Sequence, residues 1–150
     1  MNRKEVRTYV NQYCKLRDLQ FSAYELHARK HNLTAKEEFV LDILWFSPDG
    51  CLQSEICERL SATKQTVSAI IKKFWKQGYL SLTESEIDRR NKIVRFTDLG
   101  REYAKNIIPP SANAEIDAMA ELAEEDIIEL VRILTQEDGQ IPSSIIQNGC

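Results

Sequence analysis

The residues best suited to chemistry in this chain form one cationic, hydrogen-bonding face between positions 63 and 76. Lysines alternate there with small hydroxyl and amide side chains, opposite apolar side chains at helical three-and-four spacing. Short polar groups can hydrogen-bond to base edges and lysines can hold phosphates, so the mixture favours contact with DNA over a plain solvated face, which usually carries both charge signs. The range 62–83 contains no Asp or Glu. The side chains expected to face DNA are Thr63, Lys64, Gln65, Thr66, Ser68, Ala69, Lys72 and Lys73.

A second charged group follows in the loop of a predicted hairpin. The run 79–83 alternates apolar and polar residues and the run 92–96 is β-branched and aromatic, which together are typical of paired strands. Between them lie Asp88, Arg89 and Arg90, and Lys92 begins the second strand. An arginine at a hairpin tip can enter the narrow minor groove, and we expect Asp88 to hold the guanidinium in place. The alternative is a surface ion pair of little energetic consequence.

Two short helices and a tight corner must position these groups. The first helix is predicted at 54–60, and the two residues after it leave room only for a corner. Thr63 is a suitable N-cap for the second helix, and Gly78 suits a left-handed residue at its end. The buried face of the second helix is predicted to consist of Val67, Ile70, Ile71 and Phe74.

This order of elements resembles the MarR family of bacterial transcription regulators. The residues that carry the resemblance are LSATKQTVSAIIKKFWKQGYL, the Asp-Arg-Arg at 88–90, and Phe-Thr-Asp-Leu-Gly-Arg at 96–101, which is similar to the family's Leu-Thr-x-x-Gly-Arg. Leu52 departs from the family, which usually has Thr or Ser there as a helix cap. Ser54, another expected DNA contact, or water would then have to satisfy the first amides of that helix.

The resemblance implies a mainly α fold with a small antiparallel β wing. A winged helix-turn-helix domain at 33–100 would lie between an N-terminal dimerisation helix at 1–32 and C-terminal dimerisation helices at 101–136, followed by a tail at 137–150. It further implies a homodimer that binds a palindromic operator in double-stranded DNA, with repression as the expected mode and release by a small-molecule effector as an expected form of regulation.

The charge distribution supports a localised DNA-binding surface in spite of a net charge of −3. The range 59–101 holds ten Lys and Arg against four Asp and Glu, or +6, whereas 102–150 holds two against ten, or −8. The first 58 residues carry −1. Cations concentrated in one segment of an acidic chain are typical of a DNA footprint with a repelling opposite side.

The flanking segments are predicted to be helical. One long helix from Lys4 to about His31 has more apolar surface than a single winged domain covers, so a partner subunit is expected. Thr34 and Glu37 predict a capping box for a helix through Phe46. Past the hairpin, a helix capped by Thr97 is expected to kink or stop at Pro109, and helical spacing resumes over 114–134.

Other chemistry has weaker support in the sequence. No glycine-rich phosphate loop or ordered nucleophilic triad occurs, so neither an enzyme nor a cofactor is expected. Cys14, beside two cations, is the candidate for oxidant sensing, although a buried or unreactive thiol is the favoured interpretation. His27 and His31, with Glu25 or Glu37, are the alternative for metal sensing, but two histidines do not make a site.

The sequence also predicts where the protein is found, and it leaves one alternative function open. No apolar run approaches the roughly 20 residues that span a bilayer, so the cytoplasm is expected and a membrane partner is not. A winged domain used for protein contacts stays open as an alternative to DNA binding. In that case the cationic helix would dock an acidic surface.

Overall fold

A computed structural model describes residues 1–135 and confirms a mainly helical fold with a small antiparallel sheet. The predicted tail at 137–150 lies outside the described residues. The chain forms two compact units, Met1–Ser111 and a second that begins at Ala112. The described elements are α1 (Arg3–Lys30), α2 (Ala35–Trp45), β1 (Cys51–Leu52), α3 (Gln53–Arg59), α4 (Lys64–Lys76), β2 (Leu80–Glu84), β3 (Lys92–Phe96), α5 (Asp98–Ala104), α6 (Ile108–Ala120) and α7 (Glu124–Thr135).

Side-chain caps set where the first two helices begin. At α1, Asn2 accepts the backbone N–H groups of Lys4 and Glu5. The predicted capping box of α2 is confirmed, because the Glu37 N–H donates to Thr34 Oγ1 at 3.2 Å and the Thr34 N–H donates to Glu37 Oε2 at 3.0 Å. The caps of α1 and α2 both satisfy backbone N–H groups that a helix start leaves without a partner.

The sheet has the order β1-β3-β2, with both pairs antiparallel. β3 pairs with β1 through Val94 opposite Cys51, and with β2 through Phe96 opposite Leu80. One face of the sheet packs on the helices to form the core of the first unit. The predicted inward face of α4 is confirmed, since these four residues are all buried: Val67, Ile70, Ile71 and Phe74.

The helix boundaries after the wing differ from our prediction. We expected one helix to continue to Pro109 and to kink or stop there, but α5 ends at Ala104 and α6 begins at Ile108. Pro109 and Pro110 therefore lie in the first turn of α6. Proline is tolerated in that turn because the amides there have no partner within the helix. The first turn of α7, residues 124–126, is acidic, which suits the positive end of the helix dipole.

Large apolar side chains on α1 remain exposed in the single chain. Between Arg3 and Lys30 only Ala28 is buried, whereas Tyr9 is 62% exposed and Leu16 is 59% exposed. In the second unit, the exposed apolar residues of α7 include Ile128, Val131, Ile133 and Leu134. None of the described helices is both long enough and apolar enough to cross a membrane.

Candidate nucleic-acid interface

The corner between α3 and α4 has the geometry that the sequence predicts. Ser61 adopts a left-handed conformation with φ of 46°, which lets the chain reverse within a few residues. Thr63 is confirmed as the N-cap of α4, because its Oγ1 accepts the Thr66 N–H at 3.2 Å. Gly78, with φ of 77°, ends the helix as expected. The start of α4 is therefore fixed by its own sequence.

The backbone N–H groups at the start of α3 have different hydrogen-bond acceptors from those we expected. The N–H of Leu52, the N-cap, donates to Glu55 Oε2 at 2.8 Å. The Ser54 N–H donates to the side-chain oxygen of Asn91, 37 residues further along, at 3.4 Å. The wing thus supplies an acceptor where we expected Ser54 itself or water.

The outward face of α4 carries most of the predicted DNA-facing residues. Lys64, Gln65, Ala69 and Lys72 are exposed, and Thr66 is half-buried. Thr63 is exposed at the N-cap. These residues form a continuous polar and cationic surface at the N-terminal and central turns of the helix, suited to base edges and phosphates.

Two residues of the predicted face are bound within the molecule. Lys73 is half-buried, and its Nζ lies 2.7 Å from Glu37 Oε1 on α2. Ser68 Oγ accepts a hydrogen bond from the side-chain amide of Gln53 on α3. Lys73 therefore joins α4 to α2, and Ser68 joins α4 to α3.

The wing loop, residues 85–91, is ordered by hydrogen bonds between residues close in sequence to Ser85. This buried hydroxyl accepts the backbone N–H of Ile87 at 3.3 Å and that of Asp88 at 3.4 Å. We expected Asp88 to hold an arginine guanidinium, but its Oδ1 accepts the backbone N–H of Arg90 at 3.0 Å instead. The acid therefore shapes the turn, while both arginine side chains point to solvent at the tip.

Lys92 is the last member of the predicted set. It lies directly opposite Glu84 across the β2–β3 ladder, and the two side chains form an ion pair of 3.0 Å. Lys92 is half-buried and Glu84 is exposed, so solvent screens the pair, which contributes little stability, and the lysine can exchange the carboxylate for a phosphate.

A cleft of about 500 Å³ lies between α3, the first turn of α4 and the wing loop. Four predicted contacts line it together: Ser54, Lys64, Asp88 and Arg90. The structure therefore brings the cationic helix and the wing tip to one concave surface. Sequence reasoning missed Gln53 and Asn91, which also line it, because neither has a partner at a recognisable spacing.

The residues considered for sensing lie elsewhere. Cys14 is half-exposed on α1. His27 Nδ1 lies 2.7 Å from Oε1 of Glu38, a side chain buried between α1 and α2, and the rings of His27 and His31 are 5.2 Å apart. Over residues 1–135, no group of three or more His, Cys, Asp or Glu is arranged to hold a metal ion. The metal alternative thus lacks an assembled donor set in that range.

Comparison with known proteins shows that this chain is similar to transcription regulators. The model of the MarR family matches residues 31–91, which extend from the end of α1 through α2 to the end of the wing loop. This part of the chain, less than half of its length, is similar to the MarR family. The chain is 28% identical over 108 residues to the HTH-type transcriptional regulator MgrA of Staphylococcus aureus, a match that covers 71% of the chain and 70% of MgrA.

Solved structures agree on the fold. AbsC, a MarR family transcriptional regulator from Streptomyces coelicolor, superposes with a TM-score of 0.74 at 20% identity, covering 100% of this chain and 98% of AbsC. MepR of S. aureus in complex with DNA gives a TM-score of 0.68 at 19% identity, covering 85% of this chain and 93% of MepR. The winged helix fold predicted from the sequence is confirmed.

Proposed function

We propose that this protein is a DNA-binding transcription regulator that acts as a homodimer on a palindromic operator. The observation that carries the proposal is the cleft that joins the outward face of α4 to the wing tip. Lys64 lines one side of it and Arg90 the other, and the carboxylates of Glu58 and Asp88 line it as well. A phosphodiester backbone seated between them meets a cation on each side, which is the dominant source of affinity in protein–DNA contacts.

The two sides of the cleft suit the two grooves of DNA. α4 presents Gln65 and Ala69 at its exposed surface, where an amide and a methyl group can contact base edges in the major groove. Arg89 and Arg90 are exposed at the loop tip and would enter the adjoining minor groove. The fold shared with MepR, which has been solved in complex with DNA, supports DNA as the partner of this surface.

The dimer is proposed from the apolar surface that the single chain leaves exposed. Tyr9, Tyr13 and Leu16 follow one side of α1 in the first unit, and each is more than half exposed. A second copy is the occupant that covers such a stripe while placing two recognition helices related by a two-fold axis. Half-sites would then lie about one DNA turn, roughly 34–36 Å, apart.

Repression is the proposed mode, because a dimer that covers its operator excludes other proteins from the same DNA. We also propose that a small molecule releases the dimer, following the resemblance to the family. No residue of the chain identifies that effector. A reporter gene placed behind the selected operator tests the sign of regulation, and a rise in expression with the protein present would mean activation.

Selection of bound sequences from random duplex DNA tests the function itself. The expected result is a palindromic consensus, with log affinity that falls linearly with log salt concentration. A matched protein in which Lys64 and Arg90 are both changed to Met should select no consensus. Failure of the wild-type protein to enrich any sequence would instead favour the winged domain as a protein-docking surface.

A further inference from the structure

Two adjacent residues at the start of α3 hold the two elements proposed to contact DNA. Gln53 donates from its side-chain amide to Ser68 Oγ on α4. Ser54 Oγ accepts from Asn91 Nδ2 at 2.8 Å, and the Ser54 N–H donates to Asn91 Oδ1 at 3.4 Å. A single dipeptide thus connects the recognition helix on one side to the wing on the other.

Asn91 is also the residue at which the wing loop closes. Its N–H donates to the Asp88 carbonyl oxygen at 2.9 Å, and its own carbonyl oxygen accepts the Ser85 N–H at 3.1 Å. The backbone of Asn91 thereby holds both ends of the segment that carries Arg89 and Arg90. Movement of Asn91 relative to α3 would move the arginine tip with it.

The rest of the sheet does not replace this connection. β1 pairs with β3 only through Cys51 and Leu52, opposite Val94 and Ile93, at the base of the wing. The loop 85–91 extends beyond those pairs. Two-stranded ribbons twist readily, so the contact between Ser54 and Asn91 is the one in the described structure that ties the loop to the helical body by side-chain hydrogen bonds.

We propose that Gln53, Ser54 and Asn91 form a clamp that sets the distance between the major-groove and minor-groove contacts. They act as positioning residues: Ser54 holds the wing, and Gln53 holds α4 through Ser68. The proposal rests on the proposed DNA-binding function. It changes the role of Ser54, which the sequence marked as a direct DNA contact, because its hydroxyl is engaged by Asn91.

A clamp and a set of direct contacts predict different combinations of mutant effects. If Asn91 acts by placing Arg90, then Asn91→Ala already loses much of what Arg90→Ala removes, and the double variant is little worse than Arg90→Ala alone. Asn91→Ala and Gln65→Ala act on different grooves, so their effects should multiply. Likewise, Ser54→Ala should add little to Asn91→Ala, since both break the same bond.

The experiment measures affinity for the duplex that the wild-type protein selects from random DNA. Asn91→Ala is expected to weaken binding about fivefold, as for the loss of one or two modest hydrogen bonds. Ser54→Thr keeps the hydroxyl and should bind nearly as the wild type does. Asn106→Ala makes the same change at an exposed site after α5 and should leave affinity unchanged.

Hydroxyl-radical footprinting supplies a readout that a general loss of stability would not move. In Asn91→Ala, protection of the flanking minor groove should fade while protection around the major-groove contacts persists. Thermal unfolding monitors folding of each variant, and Ser54→Ala, which removes one exposed hydroxyl, keeps the test available if Asn91→Ala unfolds.

Two results would overturn the clamp. In the first, the fold-losses in affinity of Asn91→Ala and Arg90→Ala multiply fully in the double variant, and the minor-groove footprint stays unchanged. The other is an undiminished effect of Ser54→Ala in the Asn91→Ala background, which would make Ser54 a direct DNA contact. If the wild-type protein selects no duplex at all, it is the proposed function that fails, so the two failures are distinguishable.

Discussion

Lys73 of α4 and Glu37 of α2 form an ion pair in which Nζ lies 2.7 Å from Oε1, while the other carboxylate oxygen of Glu37 accepts the Thr34 N–H that opens α2. Glu37 therefore caps one helix and anchors another with the same group. Its side chain is only 13% exposed, so the pair is shielded from solvent on that side. α4 is thus fixed to the body of the domain by one of its own lysines.

Lys73→Met is expected to lower stability more than it lowers DNA affinity. Loss of the partly shielded pair should cost about 1 kcal/mol of unfolding free energy, measured by denaturant titration. Lys72→Met is the matched control, because Lys72 is exposed on the same helix. Lys72→Met should leave stability unchanged and reduce the slope of log affinity against log salt by about 1. Equal salt slopes in the two variants would mean that Lys73 also contacts a phosphate.

Asp88→Asn is expected to keep full operator affinity. An asparagine oxygen can still accept the Arg90 N–H that Asp88 Oδ1 accepts now, and the change removes a negative charge from a surface proposed to face phosphates. Asp88→Ala removes the acceptor, loosens the turn and should weaken binding. Fluorescence anisotropy at two salt concentrations measures both. A loss in Asp88→Asn as large as in Asp88→Ala would show that the carboxylate charge itself holds an arginine in the complex.

The parts of the fold that could be predicted are those encoded within a few residues of each other. The cap at Thr63, the left-handed Gly78 and the four buried residues of α4 all follow from local spacing, and all are confirmed. Helical periodicity decides which side of a segment is buried, and N-cap geometry involves residues only three apart.

The connections within the site could not be predicted in the same way. Ser54 and Asn91 are 37 residues apart, and Gln53 and Ser68 are 15 apart, so their contacts exist only after the domain has folded. Lys73 fits the cationic pattern of α4 equally well whether its ammonium meets DNA or Glu37. The error at Pro109 has a local cause, because a proline pair suits a helix start as well as a helix end.

Gly100→Ala is expected to destabilise the protein by about 3 kcal/mol or more, as for overpacking against a backbone that cannot yield. A Cβ on Gly100 would lie 1.8 Å from the carbonyl oxygen of Tyr79, where α5 passes the chain entering β2. Gly78→Ala is the control: its Cβ would have room, with Leu99 at 3.7 Å, and only the strain of φ at 77° opposes it. That change should cost about 1 kcal/mol. Similar losses in urea titrations of the two variants would contradict the close-approach argument.

Cys51 is expected to be the least reactive of the three described cysteines, Cys14, Cys51 and Cys57. Burial, and then the hydrogen bond from its thiol to the Glu55 carboxylate, raise the pKa of Cys51 from 9.0 to about 11. Alkylation with iodoacetamide at about pH 8, followed by peptide mapping, should label it last.

The raised pKa of Cys51 also predicts how the stability of the protein changes with pH in alkaline solution. Because the folded pKa is raised, the folded protein holds the proton more tightly, and this stabilisation is complete below pH 9.0 and is lost as the pH rises towards about 11. Cys51→Ala should therefore lose less stability than the wild type over that window. An equal decline in both would mean that other groups control alkaline unfolding.

Leu16→Glu is expected to separate the proposed dimer, because Leu16 lies with Tyr9 and Tyr13 on the exposed apolar side of α1. A carboxylate buried there without a partner is strongly unfavourable, so sedimentation should show a monomer at concentrations where the wild type is dimeric. Asn11→Glu places the same group five residues away, about 140° around the helix, and should remain dimeric.

The Leu16→Glu monomer should still fold, since Leu16 is 59% exposed in the single chain. It should bind an isolated half-site as the wild-type subunit does but lose the affinity gained from two half-sites on one duplex. A Leu16→Glu protein that stays dimeric and binds the full operator normally would remove α1 from the interface.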